Sequence, residues 1–180
     1  LGIPHVGEEI FESINTEDLV KCLEVSETWK VLAENVLIQR WKGKMLEACK
    51  SGETKVLQLL LECCNSEESG LIIKDRYETT PFMWACQNGH TDVVKLLLDH
   101  KAPRIDLNAK DWFESTAFMF ACENGHKDVV QLLLDHSDRK IDFNAKRCNE
   151  TALLKACGNG HIDVVKLLLY HPNSNIEFTR

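Results

Sequence analysis

Three Cys-x-x-x-His pairs are the residues best suited to chemistry: Cys86 with His90, Cys122 with His126, and Cys157 with His161. A thiolate and an imidazole at that spacing are the raw material of a zinc site, or of a nucleophile with its general base. Zinc needs four ligands converging at about 2.0–2.3 Å, and a catalytic cysteine needs one special partner. A pair that recurs at a regular interval meets neither demand. Each cysteine falls inside a helical pattern and each histidine just past its end. The pairs read as parts of a structural repeat, and no metal or cofactor is expected. Cys63-Cys64 lacks a partner cluster, and no Gly-rich phosphate loop is present. Asn149-Glu150-Thr151 spells a glycosylation sequon, but Thr151 is placed to cap a helix. No constellation supports an enzyme.

The element that carries these pairs is a phrase, Cys-x-Asn-Gly-His-x-Asp-Val-Val-x-Leu-Leu-Leu, starting at Cys86, Cys122 and Cys157. A fainter copy starts at Cys49, and the four glycines at 52, 89, 125 and 160 are 37, 36 and 35 residues apart. A period in this range marks a stacked array, in which each unit buries its apolar face against its neighbours.

The unit over 75–108 shows the local logic. Thr80-Pro81 suits a helix start, Thr as N-cap and Pro at the first helical position. Asn88-Gly89 stops that helix. Thr91-Asp92 opens a second, in which Val93, Val94, Leu96, Leu97 and Leu98 form a wide apolar face. An extended, turn-rich segment from Ile105 to Asp111 leads to the next Thr116-Ala117.

Thr80-Pro81-Phe82-Met83-x-Ala85 and Gly89-His90-x-Asp92-Val93-Val94-x-Leu96-Leu97-Leu98 closely resemble the two helix phrases of ankyrin repeats. The resemblance covers about 44–180. It implies an all-α solenoid, two short helices and a projecting hairpin-like turn per unit. The units fall at about 43–74 (degenerate), 75–110, 111–146 and 147–180. Glu78, Glu114 and Asn149 stand where the family usually has a hairpin glycine. A non-Gly residue in the left-handed region costs roughly 1–2 kcal/mol, so these turns are either reshaped or strained. Met83, Met119 and Leu154 replace the family's first-helix histidine, and the fourth turn is one residue short. The chain starts at Leu1, and its last second helix is as apolar as the internal ones. A fragment truncated at the C-terminus is therefore expected, with further repeats or a partner over that face.

Residues 1–42 lack the phrase and read as a small helical module. Ile3-Pro4, Ile10-Phe11-x-x-Ile14, Asp18-Leu19, Val25-Ser26-x-x-Trp29, Leu32-Ala33, Leu37 and Trp41 resemble an F-box. That resemblance implies docking to a Skp-type linker protein of a cullin–RING ubiquitin ligase, with Ile3, Pro4, Val6, Ile10 and Phe11 as linker contacts. The chain would then be a substrate-recognition adaptor. The alternative is a plain ankyrin scaffold or inhibitor whose first helices only cap the array.

Composition agrees with an interaction protein. A hydrophobic share of 44% with 27% charged residues is ordinary for a globular chain. A net charge of −7 and no Lys/Arg stripe argue against a nucleic-acid partner. No apolar run is long enough for a membrane span. Of the 8 cysteines, Cys49, Cys86, Cys122 and Cys157 share one repeat position. Neighbouring helices lie about 8–10 Å apart, too far for disulfides between them. They read as small apolar residues in a reducing compartment, the cytoplasm or nucleus. The resemblance places a protein or peptide target along the hairpin tips and first helices of a monomer. Arg76, Tyr77, Thr79, Gln87, Trp112, Phe113, Ser115 and Glu123 are the candidate contacts. Exposed Trp, Tyr and Arg at tips favour binding. The other reading has Trp112 and Phe113 fold back in place of the missing turn glycine.

Overall fold

Short helices with one apolar face cannot stand alone in water, and these obtain their stability by stacking. The computed structural model describes residues 43–63, 73–99, 105–136 and 141–172. The 1–42 module, with Ile3, Pro4, Val6, Ile10 and Phe11, lies outside the described residues. Four helix pairs follow one another: α1 (43–51) with α2 (Thr54–Cys63), α3 (Pro81–Gln87) with α4 (Thr91–Asp99), α5 (Ala117–Glu123) with α6 (Lys127–Asp135), and α7 (Ala152–Gly158) with α8 (Ile162–Tyr170). First helices α3, α5 and α7 pack in one layer, and second helices α2, α4, α6 and α8 in another.

Each first helix starts as its residues dictate. The side chains of Thr80, Thr116 and Thr151 accept hydrogen bonds from the backbone N–H groups of Met83, Met119 and Leu154. The Met83 sulfur in turn accepts from the Thr80 N–H at 3.4 Å. Met83 is thereby buried as a capping partner, and Met119 is buried at the equivalent place. The apolar faces of the second helices supply the core: Val93, Val94, Leu97 and Leu98, then Val129, Val130, Leu133 and Leu134. Phe118 of α5 lies against Phe143, ring centroids 4.9 Å apart.

Among the described residues, the architecture departs from purely helical in one place. Lys146–Arg147 (β1) and Glu150–Thr151 (β2) form an antiparallel two-residue ladder pairing Lys146 with Thr151 and Arg147 with Glu150. This turn differs from the other two both in its length and in the residue that opens it. Asp75 Oδ1 accepts the N–H groups of Tyr77 and Thr79, and Asp111 Oδ1 those of Phe113 and Ser115. Arg147 pairs with Glu150 as Asp111 does with Ser115, so it occupies the corresponding place; it has no acceptor to offer, and with one residue fewer the turn closes as a ladder around two central residues. Cys148 and Asn149, the two central residues, have φ of 51° and 66°, the type I′ requirement that Asn-Gly satisfies best. Replacing Cys148-Asn149 by Asn-Gly is expected to stabilise by about 1 kcal/mol, roughly 2–4 °C in thermal midpoint by calorimetry.

The expected strain at the other turns is present: Glu78 and Glu114 have φ of 63° and 64°. Each carries a 2.6 Å ion pair, to Lys74 and Lys110 respectively. These exposed pairs offset only a little of the cost.

The shared cysteine position is corrected at its last member. Cys49, Cys86 and Cys122 are buried, whereas Cys157 is exposed. Cys49, Cys86 and Cys122 each have a further helix pair following them among the described residues, and Cys157 does not. Ile162, Leu169 and Tyr170 on the same last described unit are also exposed.

One contact between units titrates. Asp135 accepts from the Gln131 side chain at 3.0 Å and meets His171 Nε2 at 3.1 Å. The Gln131 bond above all, with help from His171, holds its carboxyl below its usual range against the opposing effect of burial. A carboxyl depressed in the folded state adds stability above its unfolded pKa and loses it as pH falls through the folded one. In urea unfolding, the advantage of the natural protein over Asp135→Asn should shrink from about pH 4 downward.

Candidate protein-binding face

The hairpin tips project beside the first helices, and between them runs a groove of about 500 Å³. Tyr77 and Phe113 enter it from the tips, Trp84 and Gln87 from α3, Phe120 and Glu123 from α5, and Arg147 from β1. Side chains 30 and more residues apart in sequence meet here because the period stacks equivalent positions.

The tips form a linked ridge. Trp112 donates its backbone N–H to the Tyr77 carbonyl at 3.0 Å, and the two rings meet edge to face, centroids 6.2 Å apart. Arg76 lies 4.8 Å over the Tyr77 ring, and Arg147 lies 5.7 Å over Phe113. Trp112 is 67% exposed and Phe113 55%, so neither folds back into the turn. An aromatic pair this exposed, held by neighbours on its own ridge, has the character of an interface anchor.

The floor is charged and ordered. Glu123 meets Arg147 at 3.4 Å and Lys155 at 3.6 Å, and Lys155 bonds Glu150 at 2.7 Å. That last bond lowers the Glu150 carboxyl and raises the Lys155 ammonium from their ordinary values. On α3, the Trp84 indole donates to Asp75 Oδ2 at 3.2 Å, with the Lys50 ammonium 4.7 Å from its ring centroid.

Of the residues expected at the target surface, Tyr77, Thr79, Gln87, Phe113 and Glu123 line the groove, and Arg76 and Trp112 stand on the ridge outside it. Ser115 is a correction. It is 1% exposed, because Asp111 draws its N–H inward at 2.7 Å, and its hydroxyl meets no partner among the described residues. It builds the turn and presents nothing to a partner. Trp84, Asp111, Phe120 and Arg147 line the groove beside those candidate contacts. Their signal in the sequence is variation at fixed repeat positions: Trp84, Phe120 and Lys155 share one, and Asp75, Asp111 and Arg147 another.

The cysteines and histidines have structural duties. His90, His126 and His161 place Nε2 at 2.9, 2.8 and 2.9 Å from the carbonyls of Lys50, Gln87 and Glu123, each in the preceding unit. Burial pushes the Cys49 thiol up to about 12 and the Cys86 and Cys122 thiols strongly upward, which removes the thiolate that nucleophiles and ligands require. Among the described residues, no three His, Cys, Asp or Glu side chains converge as a metal would need. No helix among them is long and apolar enough to cross a membrane.

This stack of helix pairs with projecting turns is a repeat scaffold that exposes a continuous face. The family model for ankyrin repeats (three copies) matches residues 15–111 and 103–180, and the chain belongs to that family. Ankyrin repeats are binding modules for other proteins. No curated protein matches the chain.

Proposed function

We propose that this protein is a non-catalytic interaction module that holds a protein or peptide target along its hairpin ridge and the groove beneath it. The exposed, edge-to-face-linked Tyr77–Trp112 pair, continuous with Phe113 and Arg147, carries this reading. Selection from a random-peptide display library, counter-selected on a Trp112→Ala/Phe113→Ala variant, tests it. Enriched peptides that bind the natural chain and not the variant support the reading. Peptides that bind both equally place the contact elsewhere and defeat it.

The role of residues 1–42 divides two finer readings. The ankyrin match begins at residue 15 and overlaps this segment, which favours a scaffold whose first helices extend or cap the array. The ligase-adaptor reading rests on the residue pattern alone, with Ile3, Pro4, Val6, Ile10 and Phe11 as linker contacts. Co-elution with a Skp-type linker protein, lost in Phe11→Glu, would establish the adaptor. A well-folded chain that elutes alone would leave the scaffold.

A further inference from the structure

Asp75 and Asp111 open equivalent turns, and both spend Oδ1 on two backbone N–H groups. They differ at Oδ2. Asp75 Oδ2 receives the Trp84 indole at 3.2 Å. The residue in Trp84's place one unit on is Phe120, which has no proton to donate. Asp111 Oδ2 is therefore left without a donor among the described residues, although Asp111 is only 6% exposed and lines the groove. A carboxylate oxygen that opens on a groove and has no donor from its own chain is placed to take one from outside.

The surroundings select the kind of donor. The flanking walls are the aromatic rings of Tyr77, Phe113 and Phe120. The charged lining consists of Asp111, Glu123 and Arg147, which leaves one net negative charge, in a chain whose overall charge is −7. Aromatic faces beside an open carboxylate favour a cation over a neutral donor. Arg147 is neutralised by Glu123 at 3.4 Å, which limits its repulsion.

Resting on the reading above, we propose that Asp111 is the specificity-determining contact of the groove, and that it takes a basic side chain, lysine or arginine, from the bound peptide segment. The basic stem lies along Phe113 and Phe120, and the charged head donates to Asp111 Oδ2.

Peptides selected as described are the probe, each compared with a partner in which its lysine is changed to norleucine or its arginine to citrulline. Two protein variants are read alongside. Asp111→Asn keeps an Oδ1 acceptor for the turn and removes the charge. Phe120→Trp recreates the indole donor of the Asp75–Trp84 pair and satisfies Oδ2 from within. In the natural chain the neutral peptide should bind at least about tenfold more weakly. In both variants that ratio should fall to about twofold or less. A ratio, unlike an affinity, is insensitive to simple crowding of the groove by the larger indole. Ridge-dependent peptides that lack a basic residue would overturn this inference and leave the proposed function standing, as would a ratio unchanged in both variants. Peptides indifferent to Trp112 and Phe113 would overturn the proposed function itself.

Discussion

Gly125→Ala is expected to destabilise the protein by about 2–4 kcal/mol, and Gly160→Ala by only about 1–2 kcal/mol. Both glycines end a first helix in the left-handed region, at φ of 75° and 73°. The conformational part of the cost is therefore the same at the two sites. What differs is the space a methyl group would enter. At Gly125 an added Cβ would stand 2.5 Å from Nδ1 of His161, and at Gly160 it would meet nothing within 4 Å. The His161 ring cannot swing aside freely, because its Nε2 is held 2.9 Å from the Glu123 carbonyl. Making room breaks an inter-unit hydrogen bond and loosens the seat of one unit on the next. Gly89 is crowded in the same way by His126, at 2.4 Å. Urea unfolding of the two alanine variants measures the difference. Equal losses would mean that the histidine seat contributes nothing beyond backbone strain.

Trp112→Ala/Phe113→Ala is expected to lower affinity for a ridge-bound peptide about 30- to 1000-fold, equivalent to about 2–4 kcal/mol, with stability changed by no more than about 1 kcal/mol. The separation follows from exposure. Both rings are more than half exposed, so truncating them opens no cavity in the core. Within the chain, truncation removes one edge-to-face pair with Tyr77 and one guanidinium over the Phe113 ring, each a modest interaction. A partner would bury both rings against itself, and truncation would forfeit that burial. Isothermal titration beside thermal unfolding reads both quantities. A binding loss no larger than the stability change would mark the rings as structural.

The sequence discloses most of what is local in this molecule. The Thr-Pro helix start, the Asn-Gly stop and the Val-Val-x-Leu-Leu-Leu face are each set by a few neighbouring residues, and they appear where their spacing puts them. The strain at Glu78 and Glu114 was likewise readable, since the turn needs a left-handed residue and the chain supplies none that prefers it. The fourth hairpin was less legible. A missing residue and an Arg147 in the aspartate's place signal a different turn, but the ladder itself appears only in the folded backbone. Least legible was the groove. Its open carboxylate depends on Phe120 standing nine positions after Asp111, where Trp84 stands nine after Asp75, a difference whose meaning lies in the Trp84–Asp75 bond. The misplacement of Ser115 has the same origin, because the Asp111 carboxylate turns its backbone inward and buries it. Cys157 shares its repeat position and helix phrase with Cys49, Cys86 and Cys122, yet it is exposed, because in a stacked array burial depends on the neighbouring unit as well as on the local phrase.

The central claim is that binding occurs on the ridge and groove, and on neither the second-helix layer nor the end of the stack. The direct test is amide chemical-shift mapping of the isotope-labelled chain titrated with a selected peptide. The claim predicts shifts concentrated at 75–79, 111–115, 120–124 and 146–150, with α4, α6 and α8 little changed. Shifts centred on Ile162, Leu169 and Tyr170, or spread along the outer faces of α4 and α6, would contradict it.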